Sequence, residues 1–150
     1  MTLRDRIEED IVAAMRSREQ SRLDALRFLK SAIQMEEKSL GKSLDEEALL
    51  QVVVKQINNR RDAIRMFQEG NRGDLVAKES ADLAVLEVYM PPQLAPEELA
   101  QLIRQVIGEV GATSIQDKGK VMGRLMPQVR GKADGTEVNA MVSQILEPGG

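Results

Sequence analysis

The segment Met90–Pro96, "MPPQLAP", constrains the fold more than any other stretch of this 150-residue chain, because it gathers three of the five prolines. Proline has no backbone N–H and its ring clashes with the preceding helical turn, and the residue before a proline is pushed out of the α region. A helical chain must break here and run extended. The predicted organisation is an N-terminal domain over 1–90, a Pro-rich linker over 91–96, a C-terminal domain over 97–147 and a flexible tail over 148–150. Pro96 also suits the first turn of a new helix, with Glu97 and Glu98 at its positive end.

The fold class that fits is all-α, an N-terminal four-helix domain followed by a small three-helix C-terminal domain. Aromatic residues make up 2% of the chain while hydrophobic residues reach 42%. Leu, Ile, Val, Ala and Met must do the packing, which favours helices over a sandwich of sheets. Apolar residues recur at helical spacing. Thr2 is a cap for a first helix with Leu3, Ile7, Ile11, Ala14 and Met15 inward. A second starts near Gln20 or Ser21, buries Leu23, Leu26, Leu29, Ala32 and Ile33, and stops at Gly41. "SLDE", Ser43–Glu46, reads as a capping box for a third that buries Leu49, Val52, Val53, Ile57, Ile64 and Phe67. Asp74 is the expected cap of a fourth carrying Leu75, Leu83, Leu86 and Tyr89. Beyond the prolines, three short helices bury Leu99, Leu102, Ile103, Val106 and Val110, then the apolar side of 118–129, then Val138, Met141, Val142 and Ile145. Ser114 with Asp117 opens the middle one and Asp134 with Glu137 the last.

The chain has no cysteine and no histidine. Disulfides, thiolate chemistry, Cys-ligated metals and any Ser-His-Asp or Cys-His catalytic set are excluded. No convergent group of Asp, Glu, Lys or Ser marks a catalytic centre, and no metal site or cofactor is expected. "MTLRDRIEED" lacks an apolar signal core and no run approaches a membrane span, so the expectation is a soluble cytoplasmic protein.

The net charge is -3, yet Lys118 to Lys132 carries five cations and no acid: Lys118, Lys120, Arg124, Arg130 and Lys132. On a wheel of about 100° per residue, Val121, Met122, Leu125, Met126 and Val129 share the core side. Lys120 and Arg124 lie nearly opposite, and Gly119 and Gly123 form a strip without side chains beside them. Such a strip serves close helix packing, or it lets a phosphate or ribose approach the main chain while the cations neutralise it. Gly131 can take the left-handed conformation that ends a helix, and Arg130 and Lys132 then flank the next helix start, where N–H groups attract anions. Asp134 competes for those donors. "GKVMG" is not a P-loop, since the GxxxxGK[ST] order and a preceding strand are both missing. A second basic cluster, Arg60, Arg61 and Arg65, sits on the third helix, with Arg27 and Lys30 as possible companions from the second. With Asp62 and Glu69 nearby, a salt-bridged solvent face is the favoured reading there, and a cationic binding patch the alternative.

"GKVMGRLMPQVRGKADGTEVNAMV" resembles the signature of the YqeY family, small bacterial proteins of the GatB/YqeY group, and "RRDAIRMFQEGNRGDLVAKESADLAVLEVYMPPQLAPEEL" resembles the rest of the pattern. The C-terminal part is similar to the tail domain of the B subunit of the glutamine-dependent Asp/Glu-tRNA amidotransferase, and a related module extends some glutaminyl-tRNA synthetases. Gly119, Lys120, Gly123, Arg124, Gly131, Lys132, Ala133, Asp134 and Gly135 match the shared motif. Ala95 departs from it, where relatives carry a capping serine. The resemblance implies two helical domains, tRNA as partner with an aminoacyl-tRNA synthetase or amidotransferase beside it, and a carbon–nitrogen ligase label with glutamine as amido donor.

Three functions follow. The first is a noncatalytic tRNA-binding or tRNA-aminoacylation accessory protein, with Lys118, Gly119, Lys120, Gly123, Arg124, Arg130, Gly131 and Lys132 as the RNA-binding set. One tyrosine and two phenylalanines leave little for base stacking, so the grip would be on backbone and shape. The second is amidotransferase-like ligase activity, and the third a protein–protein adaptor using the third helix or the methionines of the tail domain.

Overall fold

A computed structural model describes residues 1–147. The flexible tail expected over 148–150 lies outside the described residues. Those residues form seven α-helices and one 3-10 turn, with no strand among them. The all-α expectation holds. The chain divides into two compact units, Met1–Met90 and Pro91–Gly150.

The first unit contains α1 (Leu3–Arg16), α2 (Gln20–Leu40), α3 (Glu46–Glu69) and α4 (Gly73–Glu87). Thr2 caps α1 in a reciprocal box with Asp5, and Gly41 ends α2 at φ 72°. One aliphatic core joins Ile7, Ala14, Leu26, Leu29, Leu49, Val53, Ile57 and Leu86. Removing this apolar area from water is the main stabilising force.

Three local expectations are corrected. Met15 is 48% exposed rather than inward. At 100° per residue Leu3, Ile7, Ile11 and Ala14 span about 80°, and Met15 falls about 40° beyond that arc. The cap of α3 is Asp45, whose side chain accepts from Ala48 N at 2.8 Å, not Ser43. Leu44 is buried in the same core as Leu49, a hydrophobic staple that fixes the helix start two residues later. Glu46 instead accepts from the N–H of Leu3 at 2.7 Å. Asp74 lies in the first turn of α4 rather than capping it, and pairs with Arg72 at 3.1 Å. Ile64 and Phe67 are half-buried.

The second unit contains α5 (Pro96–Val110), a 3-10 turn (Ile115–Asp117), α6 (Lys118–Val129) and α7 (Gly135–Leu146). Each helix supplies three residues to its core: Leu99, Ile103 and Val106; Val121, Leu125 and Val129; Val138, Val142 and Leu146. Met122, Met126 and Met141 pack against that core from its rim. Residues 91–95 carry no helix. Leu94 N donates to Lys132 O at 2.8 Å and the Gln93 amide to Gly131 O at 2.7 Å, so this segment is tied to the turn after α6. Ala95 has no side chain to cap α5, but Glu98 accepts from its N–H at 3.0 Å.

Candidate functional site

Helix α6 starts from a well-tied turn. The Asp117 carboxylate accepts from Thr113 N at 2.9 Å and from Ser114 N at 3.4 Å. The Thr113 N–H is the main reason its pKa lies below the ordinary value, and Lys120 adds a smaller pull. With the helix start fixed and Val121, Leu125 and Val129 fully buried, the remaining face of α6 must point to solvent.

That face is bare. A Cβ added to Gly119 or Gly123 would meet nothing within 4 Å. Neither glycine makes room for a packed neighbour, so the helix-packing explanation for them fails. Pro127 has no N–H to give the carbonyl of Gly123, the acceptor four residues before it, which loses its usual helical donor.

The cations differ in their commitments. Lys120 is exposed and has no ion pair among the described residues. Lys118 donates to the Asn139 side chain on α7 at 2.6 Å. Arg124 donates through Nε to Glu109 on α5 at 3.0 Å, with side chains 57% and 35% exposed. Such an exposed pair contributes about 0–1 kcal/mol of stability. Arg130 caps the end of α6, and Gly131 follows at φ 77° with its carbonyl facing Gln93. Only a residue without Cβ adopts that φ without strain. Lys132 is exposed beside it.

The predicted set therefore falls into two groups. Lys118, Gly119, Lys120, Gly123 and Arg124 occupy the first two turns of α6, while Arg130, Gly131 and Lys132 follow its last turn. A helix of 12 residues spans ~18 Å, so the groups lie at opposite ends of one rod. At the start of α7 the Asp134 side chain already accepts from Thr136 N at 3.1 Å, placing a carboxylate where an anion would sit.

The second cluster is neutralised on the spot. Arg60 pairs with Glu79 at 2.8 Å and Asp82 at 3.7 Å, and stacks over the Phe28 ring at 4.7 Å. Arg61 pairs with Glu87 at 3.6 Å and Arg65 with Asp62. Lys30 pairs with Glu8, and Arg27 donates to the Met15 sulfur at 3.8 Å. Arg60 and Arg61 thus hold α3 to α4 while Arg65 pairs within α3, and the three offer no continuous cationic face.

Sequence reasoning missed Glu109, Gln105 and Asn139, which set the posture of Arg124 and Lys118. The signal that could have found two of them is the Gln105–Glu109 pair, four residues apart on one helical face and joined at 3.2 Å. A hollow of about 290 Å³ in the first unit is lined by Arg4, Glu8, Lys30 and Glu37, among others. Its charges satisfy one another, Arg4 with Glu37 at 2.7 Å and Lys30 with Glu8 at 3.1 Å. Among the described residues no group of three His, Cys, Asp or Glu could hold a metal ion, and no helix is long and apolar enough to cross a membrane.

Comparison with known proteins decides the family. The sequence model described as Yqey-like protein matches residues 4–146. The chain belongs to the YqeY family. It is also similar to proteins named altered inheritance of mitochondria protein 41, mitochondrial. The one from Pyrenophora tritici-repentis is 30% identical over 146 residues, covering 94% of this chain and 79% of the relative. Those from Saccharomyces cerevisiae (strain YJM789) and Kluyveromyces lactis are 30% and 32% identical, covering 79% and 81% of this YqeY-family chain and 68% and 70% of the relatives. The cytoplasmic expectation is thereby corrected, since these relatives bear mitochondrial names. A charged helical surface meets the same physical requirements inside an organelle as in the cytoplasm, so composition could not separate the two.

Proposed function

We propose that this YqeY-family protein is a noncatalytic tRNA-binding or tRNA-aminoacylation accessory protein that grips the sugar–phosphate backbone of structured RNA with α6. The observation that carries the reading is the open strip at Gly119 and Gly123, flanked by Lys120 and Arg124. Absent side chains let a phosphate or ribose reach the main chain, and the two cations neutralise it. The Gly123 carbonyl, deprived of its i+4 donor by Pro127, is an acceptor of the kind a ribose 2′-hydroxyl can use. Arg130 and Lys132 extend the contact along the rod. The four-helix and three-helix units serve as separate domains, with RNA held by the second. The relatives' names state a compartment and an inheritance trait rather than a chemistry, so the molecular reading rests on the site.

Ligase chemistry with glutamine as amido donor has less support, because the chain has no cysteine or histidine to serve as nucleophile or general base. The adaptor reading has one observation in its favour, Met66 on α3 at 69% exposure. The methionines of the second unit do not add to it, being packed on the core rim.

Filter binding of tRNA by the wild type and by K120E/R124E tests the proposal. Each lost phosphate contact should lower the salt slope by about 1, so the double variant should bind more weakly with a slope reduced by about 2. Equal affinity and slope in both proteins would remove the site.

A further inference from the structure

Arg124 is held in an unusual way for a residue offered to an anion. Its guanidinium engages the Glu109 Oε2 through Nε alone, at 3.0 Å. The other carboxylate oxygen, Oε1, accepts from the Gln105 side-chain amide at 3.2 Å. Both oxygens of Glu109 are thus spoken for, one by a residue of its own helix and one by α6. Among the described residues no hydrogen bond is made by the two terminal nitrogens of Arg124. A guanidinium presents its donors as a rigid fork, and the terminal pair is the edge that grips a phosphate with two parallel bonds. A carboxylate on Nε leaves that edge outward and fixes the plane of the group.

We propose that Glu109 is a positioning residue for Arg124: anchored by Gln105, it orients the guanidinium so that its terminal edge meets an RNA phosphate beside the bare strip of α6. This deepens the reading given under Proposed function and rests on it. By charge alone, a carboxylate beside a polyanion site should weaken binding. Positioning and simple electrostatics therefore predict opposite signs for its removal.

The test is filter binding of tRNA by E109A, E109Q, R124A and E109A/R124A, with thermal unfolding to confirm that each protein is folded. Glutamine keeps an oxygen that accepts from Nε, whereas alanine leaves the long arginine side chain to be ordered by the RNA itself. Ordering one such side chain lowers affinity by about 2- to 10-fold, the expected loss for E109A. E109Q should bind as well as the wild type or tighter, having lost a charge but not an acceptor. E109A should have no effect in the R124A background. Gln105→Ala should give a smaller loss in the same direction, since it releases the other carboxylate oxygen. Unchanged or tighter binding by E109A, failure of E109Q to restore it, or an equal loss without Arg124 overturns the positioning role. Absence of tRNA binding by the wild type, or indifference to K120E/R124E, overturns the parent reading as well. Intact sensitivity to K120E/R124E with an inert Glu109 overturns only this inference.

Discussion

Replacing Gly119 and Gly123 with alanine separates stability from binding in opposite directions. Both residues are in α6, and the added Cβ atoms would meet nothing within 4 Å. Glycine inside a helix costs about 0.5–1 kcal/mol relative to alanine, through the backbone entropy it loses on folding. Gly123 lies mid-helix and should return most of that amount, while Gly119 in the first turn returns less. The double variant should gain about 1 kcal/mol, raising Tm by about 4–8 °C if the second unit unfolds as a small domain. The same two methyl groups stand where a phosphate or ribose would approach. With each approach worth one hydrogen bond, about 0.5–1.5 kcal/mol, tRNA affinity should fall about fivefold or more. Calorimetric unfolding and filter binding on one preparation give both numbers. A lowered Tm would mean that the glycines are packed after all. A raised Tm with unchanged affinity would mean that the strip is not where RNA binds.

Two further outcomes concern the first unit. Tyr89 is 3% exposed and its hydroxyl donates to Asp10 at 2.6 Å; burial and that bond push its pKa up. Y89F should cost about 1–3 kcal/mol in urea unfolding, as for a buried bond to a charged partner, and a cost below about 0.5 kcal/mol contradicts the geometry. Asp82 is 9% exposed, and burial raises its carboxyl pKa above 3.8 despite the pull of Arg60. The native state therefore binds its proton more readily than the unfolded state, so this group adds stability as pH falls from the raised value towards 3.8. D82N, which leaves Arg60 its bond to Glu79 at 2.8 Å, should stabilise the protein near neutral pH, with the advantage shrinking towards about pH 4. An advantage that grows on acidification refutes the assignment. Asp117 acts with the opposite sign, its low pKa contributing stability that is lost in acid.

The elements legible in the sequence are those fixed by local rules. The apolar spacing of 121, 125 and 129 places the core side of α6, and Gly41, Gly111 and Gly131 end helices at positive φ as expected of residues without Cβ. Two local details came out differently. Burial of Leu44 shifted the start of α3, and Met15 sits just outside the buried arc of α1. The Arg60 cluster reads as a salt-bridged face, but the carboxylates that complete it, Glu79, Asp82 and Glu87, could not be named because they arrive from α4, at least 19 residues away in sequence. Glu109 was invisible for the same reason, reaching Arg124 from 15 residues upstream across the 3-10 turn. Spacing in one helix reveals faces, but not what the neighbouring helix lays against them. The compartment was not legible at all, since it leaves no mark on the packing of helices.

The most direct measurement is a ¹⁵N–¹H correlation spectrum of the intact protein titrated with tRNA. Glycine amides resonate apart from the rest, so Gly119 and Gly123 can be followed individually. The amides of Gly119, Lys120, Gly123 and Arg124 should shift or broaden together, and those of the first-unit core, such as Val53 and Ile57, should stay in place. Perturbations confined to the first unit, or none at α6 at saturating tRNA, would contradict the claim that bare main chain on this helix meets the RNA.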